Sequence, residues 1–259
     1  MRTLQWMMML ISVGAMASPN FGTRQFFENS KRSDATRQEA DWTAKVRGCA
    51  AFFIETNNDK VLMASARHCF NYSINNWCAL DGRIVRNDGA QGRCTRVIAA
   101  KQNYDIAVFE TNFKSQPNPK HVLKLASFMP PLHSKLVMVG YPADKYRRAK
   151  LTTTKECWVL REFANSPHGN LREDSSRHNC TTYGGNSGGP MVLEGTNVAI
   201  GLPFTYSPND YFLRDPWRIS SASYLAQMAD FVRRQRSALE AAGVVIAEEV
   251  PENTAYAKK

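Results

Sequence analysis

The stretch that most constrains this chain is Gly184-Gly185-Asn186-Ser187-Gly188-Gly189-Pro190, where four glycines surround one serine and the run ends in a proline. Glycine tolerates positive φ and lets another molecule approach the main chain closely. The N–H groups of Gly185 and Ser187 can therefore converge on a developing oxyanion, with the Ser187 hydroxyl as the attacking group. A plain glycine-rich turn is the bland account of the same residues.

Chain order narrows the choice. Gly185-Asn186-Ser187-Gly188-Gly189 also satisfies the G-x-S-x-G pattern of α/β-hydrolases, but those enzymes place their histidine after the serine. Here His68, His121, His133, His168 and His178 all precede Ser187. A His, Asp, Ser order is the one left. Two apolar runs read as a hairpin: Gly48 to Ile54, a polar turn at Asn57-Asn58-Asp59, then Lys60 to Ser65. The second run leads straight into Ala66-Arg67-His68-Cys69, which makes His68 the candidate base. A buried structural imidazole is the alternative. Between His68 and Ser187 the other acids are Asp81, Asp88, Asp144, Asp174, Glu110, Glu156, Glu162 and Glu173, mostly in polar contexts. Asp105 alone heads an apolar strand, Ile106-Ala107-Val108-Phe109. An acid that fixes a histidine's tautomer has to be buried and rigid, so Asp105 is preferred over a mere strand cap.

With 259 residues, 43% of them hydrophobic and 10% aromatic, the chain can bury a full core of double-barrel or sandwich size. Residues 1–17 are set apart. Arg2 precedes the apolar run Leu4 to Val13, and Ala15-Met16-Ala17 forms an A-x-A site, the pattern of a secretory signal cleaved after Ala17. The expected location is secreted or periplasmic. That run is short for a membrane span, and no later segment is long enough for one. Residues 18–45 show no sustained period and read as an N-terminal arm or propeptide.

Cys49, Cys69, Cys78, Cys94, Cys157 and Cys180 form an even set, which suits disulfides in an oxidising compartment. No C-x-x-C unit occurs, which argues against zinc and thioredoxin-like chemistry; the pairing itself stays open. The formal charge of +10 favours acidic partners. Its only clusters are Lys145 to Lys150 and Arg233-Arg234-Gln235-Arg236. A solvated basic face is expected, with no dedicated nucleic-acid site.

Ala66-Arg67-His68-Cys69, Asp105-Ile106-Ala107-Val108 and Thr181 to Pro190 together resemble the motifs of trypsin-like serine proteases. Gly140-Tyr141-Pro142, followed by Asp144-Lys145, resembles the glutamyl endopeptidases, the V8-like bacterial branch of the chymotrypsin family. The likeness spans roughly residues 46–236. It implies an all-β fold of two six-stranded antiparallel β-barrels, chymotrypsin-like, with a C-terminal helix. It also implies that Cys69 bridges back to Cys49. Cys78 with Cys94 would then close the next loop, and Cys157 is left with Cys180. The protease domain is expected over residues 46–242. Its helix runs from Ser221 to about Ala242, where Tyr224, Leu225, Met228, Phe231 and Val232 recur at helical spacing and Gly243 caps the end. Residues 243–259 read as a flexible tail. No PDZ-sized region follows, so an HtrA-type protease is not expected.

The resemblance implies peptide-bond hydrolysis through His68, Asp105 and Ser187 and an acyl-enzyme, in a monomer acting on protein or peptide substrates without metal or organic cofactor. Asn186 stands where trypsin-like zymogens carry the aspartate that receives a freed N-terminal ammonium, so that ion pair is not expected. Aligned on Ser187, Thr181 replaces the pocket-floor aspartate of trypsin. Pro203 follows Ile200-Gly201-Leu202 where the V8-like branch has a glutamate-reading histidine, while Thr182 matches a pocket threonine of that branch. Together with Pro203, Phe204, Thr205 and Tyr206 these residues define a pocket without charge, which favours uncharged side chains of small to medium size. Two other classes remain: a secreted esterase on the same fold, and a basic protease-like binding protein without turnover.

Overall fold

The computed structural model describes residues 31–34, 36–70, 73–114, 121–141, 151–162, 176–178, 180, 185–203, 228–252 and 254. The chain enters through β1 (Lys31–Asp34) and α1 (Arg37–Asp41). It then builds β2 (Thr43–Val46), β3 (Cys49–Ile54), β4 (Val61–Ala66), α2 (Ile74–Leu80), β5 (Arg83–Arg86), β6 (Gln91–Lys101) and β7 (Ile106–Thr111). These six strands, β2 to β7, close into an antiparallel barrel in the order β2-β3-β4-β7-β6-β5. The apolar runs explain the closure. Every residue of β4 is buried, as are Phe52, Phe53, Ile84 and Phe109, so these strands are covered on both faces. Phe70 and Trp77 close one side, Phe70 lying 4.5 Å from Trp77 and 5.7 Å from Phe109 between ring centroids.

The second half comprises β8 (Lys124–Ala126), β9 (Lys135–Gly140), β10 (Thr152–Glu162), β11 (Ser176–His178), β12 (Met191–Leu193) and β13 (Val198–Gly201), then α3 (Met228–Ala241) and β14 (Ile246–Ala247). Its sheet runs β1-β10-β9-β12-β13-β8-β14, with β11 on β10. The first barrel matches the expected architecture, and the C-terminal helix does so over Met228–Ala241, Ser221, Tyr224 and Leu225 lying outside the described residues. Among the described residues the second half is an open path, and β8 pairs parallel with both β13 and β14. Parallel pairs need long crossovers. Both exist here, since β9 to β12 intervene between β8 and β13, and α3 intervenes before β14.

Strand alternation makes the second sheet a wall between two cores. Leu136 and Met138 of β9 join the core of the second half with Cys157, Val159, Met191 and Ile200. Val137 and Val139 face the opposite way, into the large core shared by the first barrel and α3. Phe231 and Val232 of α3 are fully buried there.

Both ends of the chain depart from expectation. Within the expected arm of residues 18–45, β2 is a barrel strand, and β1 pairs antiparallel with β10. Between them α1 carries a capping box: Glu39 N–H donates to Thr36 Oγ1 (3.3 Å) and Thr36 N–H to Glu39 Oε2 (2.8 Å). Glu39 is buried, accepting from Thr153 Oγ1 (2.8 Å) and pairing with Lys155 Nζ (2.9 Å). The elements are too short to show a period, yet they strap the first barrel to β10. The expected flexible tail is likewise anchored through residue 248. Gly243 (φ 89°) ends α3, Val245 N–H donates to Glu55 O (2.9 Å), and Glu248 accepts from Ser127 Oγ (2.6 Å) and Arg236.

Candidate active site

His68 lies in a short 3₁₀ turn, Arg67–Phe70, directly after β4. Two features fix it. The Cys49–Cys69 disulfide ties the residue after His68 to the start of β3. Asp105, heading β7 beside β4, grips both its main chain and its ring. The His68 N–H donates to Asp105 Oδ1 at 2.7 Å, and Asp105 Oδ2 lies 2.5 Å from His68 Nδ1. Asp105 also accepts the Arg67 N–H through its carbonyl at 2.8 Å. The carboxylate is buried whereas the His68 side chain is 46% exposed, so the imidazole presents its other nitrogen outward. An imidazole held by Nδ1 in this way has Nε2 as its basic nitrogen. Two of the other candidate acids are engaged elsewhere, Asp88 with Arg86 and Glu110 with Arg96, while Asp144, Asp174 and Glu173 lie outside the described residues.

Ser187 reaches this corner from the second half. Its carbonyl accepts the Ala50 N–H at 2.9 Å, one residue from Cys49 of the bridge. Gly188 (φ 77°) is pressed against β3 and β4: a Cβ there would lie 2.3 Å from both Ala50 O and Ser65 Oγ. Ser65 Oγ in turn donates to Ala50 O at 2.7 Å inside the protein. On the other side a Cβ at Gly189 would lie 2.0 Å from Val139 O. Gly188 and Gly189 are therefore glycines because the loop is wedged between the first barrel and β9 of its own half. Gly185, in the same loop, has φ 92°, a conformation that favours glycine. Asn186 is buried, and its Oδ1 has no hydrogen-bond partner among the described residues.

All six cysteines are paired: Cys49–Cys69, Cys78–Cys94 and Cys157–Cys180. Loops of this length each contribute roughly 3 kcal/mol in the chain-entropy account. A nitrogen of His68 and both sulfurs of its neighbouring bridge lie within 4.8 Å of one another. Disulfide sulfurs cannot act as thiolate ligands, so this cluster is not a metal site. Of the pocket residues read from the sequence, Pro203 is buried at the end of β13. Thr181, Thr182, Phe204, Thr205 and Tyr206 lie outside the described residues. Beside the buried Cys157–Cys180 bridge, His178 is wholly enclosed, and burial pushes its pKa down to about 3.

The family model of the trypsin-like peptidase domain matches residues 49–202, which takes in His68, Asp105 and Ser187. The chain belongs to this family. As a trypsin-like peptidase it is a serine protease hydrolase by fold and family. No curated protein sequence matches it. Among solved structures, mouse neuropsin, a serine protease, is similar with a TM-score of 0.59 at 13% identity, covering 81% of this chain and 99% of neuropsin. The active form of the Rv3671c protease from M. tuberculosis gives 0.51 at 17% identity, covering 78% and 76%. An HtrA-type protease, AlgW with a decapeptide, gives 0.53 at 15% identity. That match covers 74% of this trypsin-like peptidase, which spans about half (51%) of the HtrA-type chain. At these identities the likenesses speak for the fold.

Sequence reasoning missed three contributors. Ser65 braces the Ser187 loop through Ala50. Tyr141, buried at the end of β9, donates through its hydroxyl to Asn87 of the first barrel, and Asn87 Nδ2 donates to Thr43 O at 3.0 Å. The Gly-Tyr-Pro motif was the available signal for Tyr141. Tyr104 is the third.

Proposed function

We propose that the protein is an exported serine endopeptidase in which Ser187 attacks the scissile carbonyl. His68 takes the Ser187 proton and returns it to the leaving amine. Asp105 keeps the imidazole in the tautomer that leaves Nε2 basic and stabilises its charged form. The observation that carries this reading is the double grip of Asp105 on His68, at 2.7 Å and 2.5 Å, next to the strand that receives the Ser187 carbonyl. The N–H groups of Gly185 and Ser187 would meet the oxyanion of the tetrahedral intermediate, where loss of one donor typically lowers turnover about a hundred- to a thousandfold. Water then releases the acyl group from Ser187.

The three disulfides suit an oxidising compartment, and no helix among the described residues is long and apolar enough to cross a membrane. The N-terminal signal pattern extends this to export. Gly140-Tyr141-Pro142 favours the V8-like branch, whereas Thr181 and Pro203 favour uncharged residues at the cleaved position over Arg, Lys or Glu. Peptide-library cleavage tests the reading. Cutting after small or medium uncharged residues is expected. A dominant preference for Arg, Lys or Glu would overturn the pocket, and ester cleavage without peptide cleavage would make the protein an esterase.

A further inference from the structure

Asp105 grips His68 from an unusual backbone. Its φ and ψ are 52° and 32°, the left-handed region that few residues other than glycine adopt. It follows the 3₁₀ turn Gln102–Tyr104, which it closes by donating its N–H to Gln102 O at 3.1 Å. The direction in which this turn ends therefore decides where the carboxylate points. The last residue of the turn, Tyr104, is buried and held from outside the barrel. Its hydroxyl donates to Asp230 Oδ2 at 2.8 Å, and its ring meets Phe231 edge-on with centroids 6.1 Å apart. Asp230 and Phe231 belong to the first turn of α3, more than a hundred residues further along the chain. Asp230 is itself held: Arg234 Nε lies 3.2 Å from its Oδ2, and Arg233 Nη2 lies 3.8 Å from its Oδ1. Burial pushes the Asp230 carboxyl up, but the hydrogen bonds from Tyr104 and Arg234 outweigh it and keep the acid below its ordinary range.

The geometry points to Tyr104 and Asp230 as positioning residues: through them the C-terminal helix fixes the left-handed turn that aims Asp105 at His68. The inference rests on the His68, Asp105, Ser187 reading above. Neither residue touches the reacting atoms. Their effect passes through the carboxylate, whose fork on the main-chain N–H and the ring of His68 has no slack for a rotated turn. A hinge of this kind makes α3, a C-terminal element of the second half, part of the alignment of a base carried by the first barrel.

The test uses Tyr104→Phe, which removes the hydroxyl and keeps the ring against Phe231, and Asp230→Ala. Thr111→Val serves as the control, because it removes a comparable buried hydroxyl bond, Thr111 Oγ1 to Val61 O at 3.1 Å, at the far end of β7. For Tyr104→Phe and Asp230→Ala we expect kcat on a peptide substrate to fall about ten- to a hundredfold with KM nearly unchanged. Thr111→Val should lose similar melting temperature and keep its kcat. The second readout needs no turnover: ring-nitrogen NMR shifts of His68, taken in the Ser187→Ala background, report its tautomer. They should show a mixed tautomer in Tyr104→Phe and the Nδ1–H form alone with Tyr104 present. Wild-type kcat and an unmixed tautomer in Tyr104→Phe would overturn the inference, as would a kcat loss equal to that of Thr111→Val. Hydrolysis surviving in Ser187→Ala alone would instead count against the triad, leaving the tautomer to decide the role of Tyr104.

Discussion

The two halves of the molecule hold their shares of the candidate site in different ways. In the first barrel, His68 and Asp105 stand at the ends of adjacent strands, Ala66 facing Ile106 across the β4–β7 ladder, with the Cys49–Cys69 bridge beside them. That pair is built inside one closed barrel. Ser187 belongs to a loop of the second half packed between the first barrel, at Ala50, Ser65 and Ala66, and its own half's strand β9, at Val139 and Gly140. The proposed acid and base are thus aligned by local pairing, whereas the proposed nucleophile, Ser187, is aligned by docking. Changes in the first barrel should damage chemistry, and changes at the seam should damage chemistry and stability together.

Asp105→Asn gives the largest expected effect on one side of this contrast. The amide would support the wrong tautomer, so kcat should fall about ten-thousandfold while the circular dichroism and melting temperature stay close to wild type. The same loss from Asp144→Asn or Asp174→Asn, with Asp105→Asn active, would move the acid elsewhere. On the seam, Gly188→Ala places a Cβ on Ala50 O and Ser65 Oγ at a positive φ. It should cost more than about 3 kcal/mol in urea unfolding, together with activity. A stable but inactive Gly188→Ala protein would show that the loop yields and that docking is not what aligns Ser187.

Acid should find the second half first. Burial depresses His178 to about 3, while the unfolded chain takes up that proton near 6.5. Between these values the unfolded state binds more protons, so stability falls as pH drops from about 6.5 toward 3, by up to about 1.4 kcal/mol per pH unit. His178→Asn, which can still accept the Cys180 N–H, should flatten this limb. An unchanged limb would place the acid sensitivity elsewhere. The smallest effect is expected at the strap. Burial alone would raise the Glu39 carboxyl, but Lys155, the Thr36 N–H and Thr153 together hold it below its ordinary 4.5. Its contribution is present above that value and lost as pH falls through the depressed one. Glu39→Gln should cost about 1 kcal/mol at neutral pH and less in acid. A loss that does not shrink in acid would mean that the charge of Glu39 is irrelevant to the strap.

The same contrast explains what was legible in the sequence. His68, Asp105 and the hairpins β3–β4 and β12–β13 were readable because continuous apolar runs with turn residues between them specify local pairing. The strap of Lys31–Asp34 and Arg37–Asp41 was not, since four- and five-residue elements carry no periodicity. Nor was the tail after Gly243, whose order comes from Glu55, Leu125 and Ser127, residues remote in sequence. Tyr104 is invisible for the same reason: its partner Asp230 lies 126 positions away. The packing reason for Gly188 and Gly189 was hidden because the close approach they permit is to the protein's own strands, remote in sequence.

The central claim is that Ser187, docked across the seam, is the nucleophile activated by His68. The most direct measurement is covalent labelling with a fluorophosphonate, followed by peptide mapping of the wild type, Ser187→Ala and His68→Ala. Label confined to Ser187 in the wild type and lost in both variants is the predicted result. Label on another residue, undiminished label in Ser187→Ala, or a folded wild-type protein that takes no label would contradict the account.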